Sequence, residues 1–423
     1  YFMESSGTSA DTLKGEISSF SSEVSGGISF RCIVGGKMGS ASTELLCDEE
    51  MKALVARAIE NAKNIESDDK AVIFAGSEKY AELTLPEFPA KDTAELKKLA
   101  LDLHNKITAE SEYIIDGTSA TVIQNSTRIV LINSHGLELS TNVGVVGMGA
   151  QAVVAKDGEN QASFALESGF GEELVDSIAK RATSDALAKI GAGEIESGKY
   201  DVIFCGKQMK DLLSTFSSVF SGRSANLGLS LLKGKEGEKI AAEIVSIVDD
   251  PMRADTPMKA PFDGEGVATM RRNVIENGVL KTLLYDLTTA KKAGVESTGN
   301  GQKGSYSAPV AIAPYNFAIA AGEDSLEELF EQVGNGVYIT SLSGLHAGAN
   351  AITGDFSLQS AGFMLENGKK TTAVKSFTVA GNFYELLKNV TAVANNAHLP
   401  TAMGSTAFGA PSALVDGLSI AGK

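Results

Sequence analysis

Histidine is the commonest protein ligand for a metal ion, and this sequence contains four histidines. A hydrolytic zinc site takes three protein ligands and leaves one position open, commonly with two histidines one helical turn apart. The histidines are His104, His135, His346 and His398. No two of them lie close together in the sequence, so a complete zinc-peptidase motif is absent from it.

Two carboxylates alternate with glycines in segment 261–267, which reads Pro-Phe-Asp-Gly-Glu-Gly-Val. Clustered carboxylate oxygens suit a hard cation, so Asp263 and Glu265 are candidates for a metal or substrate site. The same pattern is typical of a turn in which glycines adopt positive φ and Asp263 accepts hydrogen bonds from its own backbone. The sequence favours the turn.

His346 differs from the other histidines because segment 341–348 around it is rich in small residues. Such a segment lets a backbone approach a ligand closely. Asp355 follows shortly afterwards, within Thr353-Gly354-Asp355. We therefore treat His346 and Asp355 as possible cleft or substrate contacts.

Other catalytic patterns are missing. The sequence has neither a Gly-x-Ser-x-Gly elbow nor a phosphate-binding loop that ends in Lys-Ser or Lys-Thr. Its three cysteines contain no Cys-x-x-Cys pair, which favours a reducing compartment and argues against a thiolate zinc ribbon.

Charge excludes a further class of function. Among 423 residues, 37 are Lys or Arg and 53 are Asp or Glu, so the formal net charge is −16. A surface this acidic repels a phosphate backbone, so we expect no nucleic-acid binding. The uncharged stretches are broken by Gly, Pro, Asn or Ser, so we also expect no membrane span.

The elements that must position these residues are strands and helices in succession. Predicted strands cover 27–34, 38–43, a meander over 112–165, and 200–205. Predicted helices begin at Asp48, at Asp92 with the capping pattern Asp92-Thr-Ala-Glu95, and at Glu172. Two Asn-Gly pairs, at 277–278 and 367–368, predict hairpins.

Together these elements predict an α+β fold with mostly antiparallel sheets and packed helices, in two domains. Small residues cluster at 191–198, and we place the domain boundary there. Residues 1–195 form the predicted N-terminal α+β domain, with strands, helices and then the meander. Residues 196–423 form the predicted C-terminal, β-rich domain with the hairpins.

Several short motifs occur in a fixed order along the second half of the chain. They are Asp249-Asp250-Pro251, Pro261-Phe-Asp-Gly-Glu-Gly, Val274-Ile-Glu-Asn-Gly, Thr353-Gly-Asp-Phe-Ser, Ala361-Gly-Phe, Leu365-Glu-Asn-Gly and the closing segment 409–422. In order and spacing they resemble the TldD/PmbA family, over essentially the whole chain. The chain is most similar to the PmbA (TldE) branch, once described as a modulator of DNA gyrase.

The resemblance implies a cytoplasmic metallopeptidase of two subunits. In that family a TldD subunit carries zinc on a helix with the motif His-Glu-x-x-x-His, and it pairs with a PmbA/TldE subunit. The assembly encloses a cleft that takes small or unfolded peptides.

The resemblance also assigns segment 209–220 to the zinc helix. Ser214, Thr215 and Val219 stand where the zinc subunit has its first His, its Glu and its second His. A hydroxyl cannot match imidazole as a zinc ligand at neutral pH, threonine cannot replace a carboxylate base, and valine has no donor atom. Segment 400–410, where the zinc subunit supplies a cysteine ligand, contains no cysteine. We therefore expect no catalytic residue and no metal in this chain.

The resulting hypothesis is a pseudoenzyme: a catalytically silent subunit that forms a heterodimer with a TldD-like zinc subunit and acts on peptides. One alternative is an independent metal-dependent hydrolase that uses Asp263, Glu265, His346 or Asp355. Another is a regulatory protein that contacts gyrase. A homodimer is also expected when the partner subunit is absent.

Overall fold

The computed structural model describes residues 1–66, 71–83, 90–256, 258–397 and 406–423. The first sheet is built from β1 (Phe2–Leu13), β2 (Glu16–Val34), β3 (Lys37–Thr43), β4 (Ser119–Ile132), β5 (Glu138–Lys156) and β6 (Glu159–Ser168). Its spatial order is β3-β2-β1-β4-β5-β6, and every neighbouring pair is antiparallel. The predicted meander is confirmed as β4 to β6.

β1 and the first part of β2 lie outside the predicted strands. Segment 2–13 contains three serines together with Gly7 and Asp11, and Gly and Asp are depleted in strands. β1 nevertheless lies in the middle of the sheet, where Phe2 is opposite Ile28 of β2 on one side and Val130 of β4 on the other. Hydrogen bonding from both neighbours stabilises a strand that its composition alone does not predict.

Three helices accompany this sheet: α1 (Asp48–Asn64), α2 (Thr93–Ala109) and α3 (Glu172–Leu187). The predicted capping box of α2 is confirmed, because Asp92 Oδ1 accepts from Glu95 N at 2.9 Å and Glu95 Oε2 accepts from Asp92 N at 3.0 Å. α2 and α3 cover one face of the sheet. Their apolar core includes Ala10, Leu96, Leu103, Val122, Met148 and Ile178.

His104 of α2 is a structural residue of this core, with only 5% of its surface exposed. Gly15 N–H donates to Nε2 at 2.9 Å, so the ring proton is on Nδ1, which lies 2.9 Å from the hydroxyl of Thr12. Burial lowers the pKa of the imidazole. Both ring nitrogens are therefore engaged in holding the β1–β2 turn against α2.

The second half contains β7 (Gly198–Phe204), β8 (Ile247–Asp249), β9 (Arg272–Glu276), β10 (Val279–Leu280), β11 (Gly301–Gln302), β12 (Ala311–Ile312), β13 (Asn316–Ile319), β14 (Gly336–Ser343), β15 (Asp355–Glu366), β16 (Lys369–Asn382), β17 (Val390–Val393), β18 (Ala407–Gly409) and β19 (Ala413–Ala421). Its helices are α4 (Gly206–Phe216), a 3₁₀ helix (Ser217–Phe220), α5 (Gly222–Asn226), α6 (Leu287–Ala293), α7 (Leu326–Val333) and α8 (Phe383–Lys388).

These strands form three sheets. One has the order β16-β15-β14-β7-β19-β17, and an added β16–β19 pairing joins five of its strands into a ring. The others are β10-β9-β8-β13-β18 and β11-β12. Strand pairs β7–β14 and β13–β18 are parallel, and the other pairings between these strands are antiparallel. The predicted α+β class is confirmed.

Both predicted Asn-Gly hairpins are confirmed. Asn277 and Gly278 connect β9 to β10 with φ of 49° and 78°, and Asn367 and Gly368 connect β15 to β16 with φ of 51° and 73°. Positive φ at both central residues gives a two-residue turn whose twist matches that of the strands. Within the described ranges, no helix is both long and apolar enough to cross a membrane.

Replacing His104 with leucine should destabilise the fold. The variant leaves the Gly15 N–H and the Thr12 hydroxyl without their imidazole partner, so we expect the free energy of unfolding to fall by about 2–4 kcal/mol. Urea denaturation measures this change. His135→Leu is the matched control, because His135 lies exposed in the turn between β4 and β5 and should leave stability nearly unchanged. Equal losses in the two variants would show that the buried hydrogen bonds contribute nothing specific.

Candidate functional site

The three positions that the resemblance assigns to zinc chemistry lie on α4 and the 3₁₀ helix after it. Ser214 and Thr215 are half-buried in the last turn of α4, and Val219 is completely buried in the 3₁₀ turn. The predicted helix over 209–220 is thus confirmed, with a tighter final turn. Thr215 Oγ1 donates to the carbonyl of Asp211 at 2.8 Å, so its hydroxyl is engaged within the helix.

Apolar packing holds this helix in place. The Phe216 ring stacks on Phe383 of α8 at 4.6 Å between centroids and contacts Phe356 of β15 at 6.3 Å. The Phe220 ring meets Phe317 of β13 edge-on at 5.4 Å. Such pairs add to the free energy gained from burying apolar surface.

The side chains at the three positions do not fit a zinc ion. They offer two hydroxyls and one hydrocarbon, and the hydrocarbon belongs to the hydrophobic core. Across the part of the chain that the structure describes, no group of three or more His, Cys, Asp or Glu side chains is placed to hold a metal ion. His398 and residues 400–405, part of the segment predicted to lack the cysteine ligand, lie outside the described residues.

The second candidate region, the loop over 261–267, has the turn geometry that its sequence favours. Asp263 Oδ1 accepts from the backbone N–H groups of Glu265 at 2.8 Å and Val267 at 3.0 Å. Oδ2 accepts from Gly301 N–H at 3.0 Å, a contact with β11 that the local sequence does not predict. Gly266 has a φ of 91°, as the turn requires.

Glu265 joins this loop to the first sheet. Arg31 of β2 donates from Nη1 to Glu265 Oε1 at 3.2 Å, and Leu287 N–H donates to Oε2 at 2.9 Å. Tyr80 donates its hydroxyl to the Gly266 carbonyl at 2.8 Å. Residues from the two halves of the chain therefore meet at this loop.

Burial has the largest effect on the pKa of both carboxyls. It raises the pKa of Asp263 to about 7; the nearby Glu265 charge adds to the shift, and the three N–H donors oppose it. Burial also raises the pKa of Glu265, against the hydrogen bond from Leu287 and the charge of Arg31. Asp263 thus titrates near neutrality while serving as a hydrogen-bond acceptor for the loop.

A third buried carboxylate lies near the same loop and was not predicted as a site residue. Asp249, at the end of β8, accepts from Asn300 Nδ2 at 2.7 Å and from Tyr315 N–H at 2.8 Å. Burial raises the pKa of Asp249 to about 6. The Asp-Asp-Pro motif was the only sequence feature that could have indicated Asp249. Its partner Asn300 lies 51 residues further along the chain, and no motif marks it.

His346 lies elsewhere, on the connection between β14 and β15, and Asp355 is the first residue of β15. Both side chains are exposed. Asp355 Oδ1 accepts from Asn382 Nδ2 at 2.8 Å, and this hydrogen bond lowers the pKa of the carboxyl. The structure therefore brings Asp263 and Glu265 together. Among the described residues, neither His346 nor Asp355 joins them to form a metal-binding group. Contact of any of the four with a substrate stays a prediction.

Two cavities flank the 261–267 loop. One, of about 710 Å³, includes Glu265 in its lining and lies between β2–β3 and the α5–α6 segment. The other, of about 640 Å³, includes Asp263 and lies against β1, β4 and β5. Arg31 and Lys303 also line the first cavity, and the sequence patterns did not predict either of them as a site residue.

Comparison with known proteins supports the resemblance. Models of the PmbA/TldA metallopeptidase match as domain 1 over residues 1–62, as the central domain over 86–190 and as the C-terminal domain over 197–422. A Haemophilus influenzae protein described as a metalloprotease PmbA homolog is 27% identical, over 92% of this chain and 86% of its own.

Two solved structures are similar in fold and sequence. A Thermotoga maritima protein described as a candidate modulator of a DNA gyrase has a TM-score of 0.90 and 31% identity, covering 99% of this chain and 95% of its own. TldE from Thermococcus kodakarensis has a TM-score of 0.85 and 26% identity, with the same coverage of 99% and 95%.

Replacing Asp263 with alanine should destabilise the protein, and more so at acid pH. The variant leaves three backbone N–H groups without their acceptor, an expected loss of about 2–4 kcal/mol. The folded state holds the Asp263 proton up to a pKa of about 7, whereas an ordinary carboxyl releases it near 3.8. The contribution of Asp263 to stability therefore falls as the pH rises between these values. The free energy of unfolding lost in Asp263→Ala should be larger at pH about 5 than at pH about 8.

Urea denaturation of both proteins at the two pH values measures this difference. Asp116→Ala is the control, because Asp116 has 81% of its side chain exposed and lies 3.6 Å from Lys14 in a surface ion pair. A loss that grows with pH would mean that the fold favours the charged carboxylate, contrary to the raised pKa.

Proposed function

The chain belongs to the PmbA/TldD metallopeptidase family, and from that premise we propose that it is the non-catalytic subunit of a two-subunit zinc peptidase. The observation that carries the proposal is the chemistry of the zinc-helix positions. Ser214, Thr215 and Val219 supply neither an imidazole nor a carboxylate, and the last of them is fully buried. The zinc and the catalytic base would be supplied by a TldD-like partner.

In this proposal the chain contributes a binding surface and no catalytic group. Its two halves meet at the 261–267 loop, where Arg31 pairs with Glu265, and cavities lie on both sides of the loop. A subunit of this form would complete a cleft for small or unfolded peptides and help to order the catalytic subunit. The same premise supports a cytoplasmic heterodimer, with a homodimer when the partner is absent.

An independent hydrolase built on Asp263 and Glu265 has less support. All four of their carboxylate oxygens accept hydrogen bonds from protein groups, namely backbone N–H groups and the Arg31 guanidinium. Both residues are also at most 7% exposed, so little of either carboxylate is open to a substrate or an ion. A direct role on DNA has little support either, because the net charge is −16.

Peptide cleavage by each chain and by the mixture tests the proposal. The purified chain should not cleave an unstructured fluorogenic peptide, whereas its mixture with a His-Glu-x-x-x-His family protein of the same organism should exceed the sum of the two alone. The double variant Ser214→Ala/Thr215→Ala should leave the activity of the mixture unchanged, because neither hydroxyl takes part in the chemistry.

The matched change in the partner, its first motif histidine to alanine, should abolish cleavage by the mixture. Chelator-sensitive cleavage by the lone chain that disappears in the Ser214/Thr215 double variant would overturn the proposal. Recovery of gyrase with the chain, and of no zinc-motif protein, would favour the regulatory alternative instead.

A further inference from the structure

The described lining of the cavity of about 710 Å³ between β2–β3 and the α5–α6 segment has more basic than acidic side chains, although the chain as a whole is acidic. Four cationic side chains and two carboxylates are found among the described residues that line it: Arg31, Arg223, Lys292 and Lys303 against Glu265 and Asp286. A concave site of one sign concentrates ligands of the opposite sign. The lining therefore favours an anion.

Both carboxylates of the described lining already have partners within the protein, and so does Lys292. Glu265 accepts from Arg31 and from Leu287 N–H. Asp286 caps α6, where its Oδ1 accepts from Thr289 N–H and from Thr289 Oγ1, each at 2.7 Å. Neither carboxylate is paired with Arg223.

Arg223 is the cation best placed to receive a ligand. Its side chain has no hydrogen-bond or ion-pair partner among the described residues, and it is exposed on the cavity wall. Its backbone is fixed by the preceding residue: Gly222 N–H donates to the Leu284 carbonyl at 2.8 Å. A Cβ at Gly222 would lie 2.3 Å from the Tyr285 ring, so the close packing of α5 requires glycine there.

Lys303, which lines the same cavity, supports the same conclusion. Only 9% of its surface is exposed, and its Nζ donates to the Ala308 carbonyl. Burial and the charge of Arg31 lower the pKa of the Lys303 ammonium to about 8. An anion in the cavity would offset this repulsion between two neighbouring cations.

We propose that this cavity binds an organic carboxylate, with Arg223 as its principal partner. Met38, Val72, Leu227 and Val310 supply apolar lining for the rest of the ligand, and the volume lies within the range of small-molecule sites, roughly 300–1,000 Å³. A planar carboxylate matches the fork of a guanidinium in a bidentate pair. The carboxylate can belong to a free small acid or to the C-terminus of a short peptide, and binding to the lone chain does not depend on the function proposed above.

Isothermal titration of the full chain tests this site with four probes: sodium succinate, N-acetyl-trialanine, the C-terminal amide of that peptide, and inorganic phosphate. Binding of the peptide acid but not of its amide or succinate identifies a peptide C-terminus as the source. Binding of succinate alone identifies a free acid. Either result, or binding of both acids without the amide, supports the proposal.

Arg223→Gln should weaken binding of the acid about tenfold or more, the effect of losing one charge-assisted pair. Arg223→Lys, which keeps the charge but not the planar fork, should give a smaller loss. Arg128→Gln is the matched control, because Arg128 is exposed on β4 and does not line the cavity. Urea denaturation verifies that all three variants fold.

The proposal is overturned if no acid binds, if acid and amide bind equally, or if phosphate binds more tightly than both acids. It is equally overturned if Arg223→Gln, folded as the wild type, keeps the wild-type affinity, or if Arg128→Gln weakens binding as much.

Discussion

The packing of Phe216 on Phe383 and of Phe220 on Phe317 joins α4 and the 3₁₀ helix to α8 and β13. It anchors the helical segment 206–220 through ring contacts and places Val219 in the core. In a zinc subunit the same segment would present donor atoms to an ion. Here aromatic and hydrocarbon packing stabilises it. Gly222 and Arg223 follow directly, and the same packing therefore positions the cationic wall of the larger cavity.

The 261–267 loop provides the second constraint, because it joins the halves of the chain through polar groups. Asp263 and Glu265 are almost fully buried, which is unfavourable for carboxylates unless every oxygen has a partner. Backbone N–H groups and Arg31 supply those partners, yet burial still raises both pKa values. Buried carboxylates of this kind are more costly than apolar residues. Of the two, Glu265 links the halves directly, through its contact with Arg31.

Features that depend on near neighbours were predictable from the sequence. The capping box at Asp92, the Asn-Gly hairpins and the turn bonds of Asp263 each involve groups within four residues of one another. Contacts between distant segments were not. Arg31 and Glu265 are 234 residues apart, and β1 depends on both of its neighbours in the sheet. The substitutions at the zinc-helix positions became visible only through the family resemblance, because nothing in local chemistry marks Ser214 or Val219.

We propose that this chain does not hold a hydrolytic metal ion by itself. Metal analysis tests it most directly: the lone chain is saturated with zinc, passed through gel filtration and measured by mass spectrometry, beside the Ser214→Ala/Thr215→Ala double variant. We expect far less than one zinc per chain and no difference between the two proteins. One zinc retained per wild-type chain, and lost in the double variant, would contradict it.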